Sequence, residues 1–253
     1  MKKIAALFFV LFFIAGICAG EQFKIDYFKD SVKRFEAKDA SSGKLKWRAE
    51  AITRKTDRNG QTVIVYSEKG AGIYGNSGEY KYWTSDSLYL LNNKTLIPVG
   101  GRLVFKDKNG ARAQTLEKKY DQQSKKVTVT VSGKVSQFDF AGDLLDKDIL
   151  PIGVMNYPFD EKRDFVFNFL TNDPSVYRMT LKYLGIENVT IGAKTYECHK
   201  LQMIPDLGLA NIIGAFVPKT YFWCTVSFPH TIMKYEGLES GLNTPYLDIL
   251  TIE

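Results

Sequence analysis

Residues 48–69 read RAEAITRKTDRNGQTVIVYSEK, and the Asn59-Gly60 pair inside this stretch decides the class of fold. Both residues accept the positive φ of a type I′ turn, whose twist matches that of the strands it joins. The flanking runs are rich in Val, Ile, Thr and Tyr, so the stretch reads as a β-hairpin. The same punctuation recurs: Asn109-Gly110 stands between RLVFKDK and ARAQTLEKKY, and Ser41-Ser42-Gly43 between KRFEAKDA and KLKWRAEAI. Further strand-like runs lie at Tyr80 to Trp83, Ser87 to Leu91, Lys126 to Val131, Phe165 to Leu170, Val176 to Leu184, Lys194 to Met203, Lys219 to Phe228, Thr231 to Tyr235 and Leu247 to Ile252. About a dozen strands at such short spacing predict a mainly β protein built on an antiparallel sheet, sandwich or barrel rather than a parallel α/β architecture.

Few helices are expected. Glu21 to Asp30 is amphipathic enough for one or two turns, Phe140 to Leu150 offers Asp143 as an N-cap and stops at Pro151, and Asp206 to Phe216 carries an apolar stripe. The last segment places Leu207, Leu209, Ile212, Ile213 and Phe216 between two strands. So many apolar residues in a connection either plug the core or fringe an apolar cavity as a lid.

The chain opens MKKIAALFFVLFFIAGICAG, with Lys2 and Lys3 before an apolar run and Cys18-Ala19-Gly20 ahead of polar sequence. This pattern predicts a secretory signal over residues 1–20, cleaved after Ala19 or Gly20. A run of ~14 apolar residues is short for a span of ~30 Å of hydrocarbon, and no later segment offers ~20, so the mature chain is expected to have no transmembrane span. Lipidation at Cys18 is disfavoured by Ile17, which stands where a small residue is needed. The rest, residues 21–253, is expected to form a single β-rich domain, with PIGVMNYP over residues 151–158 as the best place for a joint.

The charge of +6 falls to +4 once Lys2 and Lys3 are removed, leaving 32 Lys and Arg against 28 Asp and Glu. Lysines are scattered singly through the strand-like segments, which predicts no nucleic-acid partner. The densest cluster, Glu117-Lys118-Lys119 to Lys125-Lys126, flanks a turn and reads as exposed.

Catalytic chemistry is hard to assemble. Of the two histidines, His199 follows Cys198 directly, and neighbours on one strand point to opposite faces, so they form no nucleophile-base pair. Glu197-Cys198-His199 lacks a second ligand pair at zinc-site spacing. Asp143 to Asp148 lacks the alternating ligands and central glycine of a calcium loop, and Gly237-Leu238-Glu239-Ser240-Gly241 sets its serine one place too late for a nucleophile elbow. No catalytic residue, metal or cofactor is expected. Cys198 and Cys224 flank a hairpin centred on residue 211, which sets them opposite each other. In an oxidising compartment that predicts a disulfide.

Aromatic material is abundant instead, at 13% of the chain. Runs such as DFVFNFL and YFWCTVSF are apolar on both faces, so one face can serve the core and the other, including Trp223, an apolar groove.

The order Gly192-x3-Tyr196, Pro205, Gly208, Pro218-x2-Tyr221-x-Trp223, Pro229 and Tyr235-x-Gly237 resembles the bacterial periplasmic proteins of the domain-of-unknown-function 3108 type. Those are related in fold to the LolA/LolB lipoprotein carriers. The resemblance implies a large antiparallel sheet curved into an incomplete, LolA-like half-barrel around an apolar groove, with a few short helices. Ser227-Phe228-Pro229 departs from the family, which often has a charged turn residue there, and no catalytic residues can be carried over.

Together these readings predict a periplasmic, non-enzymatic protein that binds a lipid-like ligand in a curved sheet, in peripheral contact with the envelope. A module that pairs its sheet edges with a partner protein is the alternative, and a hydrolase of envelope polymers is disfavoured because it needs a polar cleft.

Overall fold

The computed structural model describes residue 21 and residues 23–140, 144–171, 175–206, 218–240 and 244–252. In chain order the strands are β1 (Ser31–Asp39), β2 (Leu45–Arg58), β3 (Gln61–Ile73), β4 (Tyr80–Asn92), β5 (Thr95–Asp107), β6 (Arg112–Asp121), β7 (Lys126–Val131), β8 (Lys134–Asp139) and β9 (Leu144–Asp146). After helix α1 (Leu150–Met155) come β10 (Phe165–Leu170), β11 (Val176–Ile191), β12 (Lys194–Pro205), β13 (Thr220–Thr225), β14 (Ile232–Leu238) and β15 (Tyr246–Thr251).

All fifteen strands join one sheet, in the order β8-β7-β6-β5-β4-β3-β2-β1-β15-β14-β13-β12-β11-β10-β9. Most consecutive strands pair as hairpins, many of them through turns whose residues stand at positive φ. Asn59 and Gly60 stand at φ 54° and 76°, and Asn93 and Lys94 at 47° and 65° between β4 and β5. The first and last strands pair with each other, Phe35 opposite Thr251, which joins the two hairpin ladders in the middle of the sheet. Among the described residues the single parallel pair is β9 on β10.

The sheet is strongly curved. Asp146 of edge strand β9 reaches Lys118 of β6, near the opposite edge, so the sheet wraps around its contents. No ladder joins β8 to β9 among the described residues, and the wrap stays open, as an incomplete barrel.

The concave side is filled by two apolar clusters. One surrounds α1 with Phe23, Ile25, Leu145, Ile149, Phe165, Phe167 and Leu201, and the other holds Trp47, Trp83, Phe105, Val127, Val129, Leu144 and Leu170. Gly70 permits the second: a Cβ there would stand 2.0 Å from the Trp83 ring that lies across it.

Two sequence expectations change. Glu21 to Asp30 is extended rather than helical, because Phe23 and Ile25 point inward alternately and Lys24 bridges Thr95. The helix expected before Pro151 begins at Leu150 instead, with Pro151 in its first turn, where a missing N–H sacrifices no intrahelical hydrogen bond and the φ of proline suits a helix. Residues 151–158 begin inside α1, whose Ile152, Gly153 and Val154 are buried against the sheet. Residues 1–20, with Cys18, and the expected lid residues Leu207, Leu209, Ile212, Ile213 and Phe216 lie outside the described residues.

Candidate functional site

Between the sheet and α1 lies a cavity of about 290 Å³. Its apolar wall comes from the inward faces of the central strands: Phe35 of β1, Ala51 of β2, Met179 of β11, Met203 of β12, Phe222 of β13 and Ile249 of β15. Leu150, Ile152 and Met155 of α1 form its floor, and Pro205 and Pro218, which bracket residues 206–217, stand at its rim. The alternation of strands produces this lining, since residues i and i+2 share a face.

One end of the cavity is polar. Glu68, Asp148 and Glu239 line it together with Tyr66, Tyr74 and Lys147. Glu239 accepts from Trp47 Nε1 at 2.6 Å and from the Gly75 backbone N–H at 2.6 Å. Glu68 accepts from Trp83 Nε1 at 2.7 Å and from the Tyr66 hydroxyl. Lys147 Nζ donates to the Tyr74 hydroxyl at 2.9 Å. Burial opposes its charge, yet Tyr74, Glu68 and Glu239 around it raise its pKa, so it stays an ammonium at neutral pH.

Behind Asp148 stands a buried ion cluster. Lys118 Nζ lies 2.9 Å from Asp146 and 3.6 Å from Asp148, and the Tyr89 and Tyr120 hydroxyls donate to Asp146. Asp148 also accepts from Ser87 Oγ at 2.5 Å and Ser85 Oγ at 3.2 Å. Lys118, read from sequence as an exposed turn residue, is 4% exposed. Burial raises the Asp146 pKa and Lys118 with the two hydroxyls more than reverses this, so the carboxyl is held below its usual range. A general acid needs the opposite shift, toward neutral pH. These carboxylates brace β9 and the start of α1 against the sheet.

The expected cysteine pair does not form. Cys198 faces Thr225 and Cys224 faces His199, one residue off the register that would bring the thiols together. Cys198 packs with Val189, Trp223 and Met233, whereas Cys224 belongs to the cluster around α1, so the two thiols point to opposite faces. Both are free and buried. Burial pushes the Cys198 thiol up to about 11 and raises that of Cys224 further, which leaves neither as a thiolate at neutral pH.

Trp223 is likewise not a groove residue. It lies on the convex side, donates to Glu187 at 3.0 Å and is flanked by Lys200 and Lys234 over its ring; its neighbour Phe222 lines the cavity. His199 and His230 pack on Phe159 at 4.4 and 4.5 Å. The sequence reading missed Lys33, Glu68, Lys147 and Glu239. Strand alternation alone could have placed Lys33 with Phe35, but the exposed Val32 just before Lys33 inverts the usual pattern.

A family model described as "Protein of unknown function (DUF3108)" matches residues 22–227. No curated protein matches the chain. A solved structure described as a beta-barrel-like protein of domain of unknown function DUF1849 from Brucella abortus is similar at 8% identity. The match covers 88% of this chain and 95% of that one, with a TM-score of 0.50. The likeness concerns the fold.

Proposed function

We propose, from the premise that this chain belongs to the DUF3108 family of proteins of unknown function, that it is an exported, non-enzymatic protein which holds a lipid-like ligand in the cavity of its curved sheet. The observation that carries this reading is the cavity itself. Its volume of about 290 Å³ is near the lower end of ligand pockets, which run from roughly 300 Å³ upward, and apolar side chains make most of its wall. A binding role is supported over catalysis because the carboxylates at the polar end already accept from protein donors and Asp146 is held ionised. The signal-like N-terminus supports a periplasmic location, where a holder of acyl chains would serve envelope biogenesis.

The test is a cavity-filling substitution. Ala51 is 4% exposed and lines the cavity, so Ala51→Phe would occupy the space while keeping an apolar side chain on β2. The wild-type protein is expected to carry lipid in native mass spectrometry and to bind 1-decanol by calorimetry, and the variant to do neither. Absence of both from the wild type would overturn the reading.

A second reading rests on the free edge of β8, where Val135 is 63% exposed. An unpaired edge accepts a strand from a partner. Crosslinking from β8 in envelope extracts would then trap a partner protein on lipid-free chain.

A further inference from the structure

Lys33 lines the cavity, as Lys147 does, and it has no hydrogen-bond or ion-pair partner among the described residues. It points inward from β1 with Ser31, and Ser31 faces Thr53 across the β1–β2 ladder; both hydroxyl side chains line the cavity. Burial, and after it the charge of Lys29, pulls the Lys33 pKa below its usual value. Half-buried and without a counter-charge in contact, the Lys33 ammonium is open to pair with an anionic group that enters the cavity.

The nearest carboxylate on the same row does not supply it. Lys33 pairs with Ala51 and Ala51 with Glu68, so Lys33 and Glu68 stand two strands apart, or about 9–10 Å at the backbone. Glu68 is committed to Tyr66 and Trp83. Glu239 is farther still: its partner Trp47 stands opposite Ala37, four residues along β1 from Lys33, or roughly 13 Å. The two lining lysines therefore differ. Lys147 sits among Tyr74, Glu68 and Glu239, which already balance it, whereas Lys33 stands beside the Ser31 and Thr53 hydroxyls and Phe35, with Glu68 two strands away and held by other donors.

We infer that the cavity takes a single-chain amphiphile with a carboxylate head group, seated on Lys33 Nζ beside Ser31 and Thr53, its chain running along the apolar wall toward α1. This rests on the ligand-holding role proposed above and names its ligand class. One cation with neutral donors around it matches a monoanion. The volume, about twice the ~150 Å³ apolar void that takes one benzene, suits one medium-length chain.

Calorimetry with two probes of equal chain length separates the two claims. Wild-type protein is expected to bind decanoate about tenfold tighter than 1-decanol, the worth of one charge-assisted hydrogen bond. Lys33→Met should lose the preference for decanoate, and Lys33→Arg should keep it. If neither probe binds the wild type, the cavity reading falls and this inference with it. If decanol binds but decanoate is no tighter, or if Lys33→Met keeps the preference, the carboxylate assignment alone is overturned.

Discussion

Asp146 is 1% exposed and Lys118 4% exposed, and their 2.9 Å contact places two full charges where neither has water. Removing one partner leaves the other uncompensated, which costs roughly 3–5 kcal/mol in buried pairs, whereas replacing both by apolar groups is often neutral. Asp146→Ala or Lys118→Met is therefore expected to lose about that much in urea unfolding, and the double variant Lys118→Met with Asp146→Leu to recover most of it. Additive losses would show that the pair is not coupled. The pH dependence follows from the two shifts. The folded Asp146 pKa lies below its ordinary 3.8, so its contribution is present above that value and is lost as pH falls through the lower folded one. The folded Lys118 pKa lies above 10.5, so its contribution is present below that value and is lost as pH rises through the higher folded one. At this scale the sequence was least legible. Lys118 sits in a lysine cluster that reads as solvated, and nothing local announces a carboxylate 28 residues later that buries it. The cysteine register failed for a related reason, since a shift of one residue turns a side chain to the other face.

The element that defines the cavity floor is also the one with least stability of its own. Helix α1 has six residues, Pro in its first turn and no side-chain cap, far below the length at which an isolated helix persists. Packing holds it. The extended segment before β1 lays Phe23 across it, with the Phe165 ring 4.2 Å away and the Phe167 ring 5.4 Å away. Phe23→Ala is expected to cost about 3–5 kcal/mol, as deletion of a buried ring does, and to lower the thermal midpoint accordingly. Phe228, 68% exposed, provides the control: Phe228→Ala should stay within about 0.5 kcal/mol. Equal effects from the two would mean the N-terminal segment does not hold α1. The hairpins were legible because Asn-Gly and Gly turns act over two residues. The pieces that build the cavity floor were not. Leu144–Asp146 pairs in parallel with a strand 24 residues away, so Asn168 meets Leu144 with no turn between them to signal it. Pro151 can close a helix or open one, and sequence alone does not say which.

At the scale of the whole molecule, the sheet consists of two runs of hairpins that meet where β1 pairs β15. Each hairpin closes a short loop, but the central pairing closes nearly the whole chain, Phe35 on Thr251, and loop-closure entropy must be met before those contacts contribute. Such non-local β topologies fold in roughly milliseconds to seconds. The two ladders should therefore form first and the β1–β15 junction last, which a pair of substitutions can separate. Leu247 of β15 is 0% exposed and Val63 of the β2–β3 hairpin 2% exposed, so truncating either to Ala changes stability by more than the ~0.6 kcal/mol needed to interpret rates. In stopped-flow chevrons Leu247→Ala is expected to speed unfolding and leave the folding rate nearly unchanged, whereas Val63→Ala slows folding. The reverse pattern would mean that the ends meet first and the hairpins assemble onto them. Because the cavity is lined by β1, β2, β11 and β15 together, the junction-last order also implies that ligand binding becomes possible only after the final pairing. Binding should then lag refolding of the β2–β3 hairpin in the same experiment.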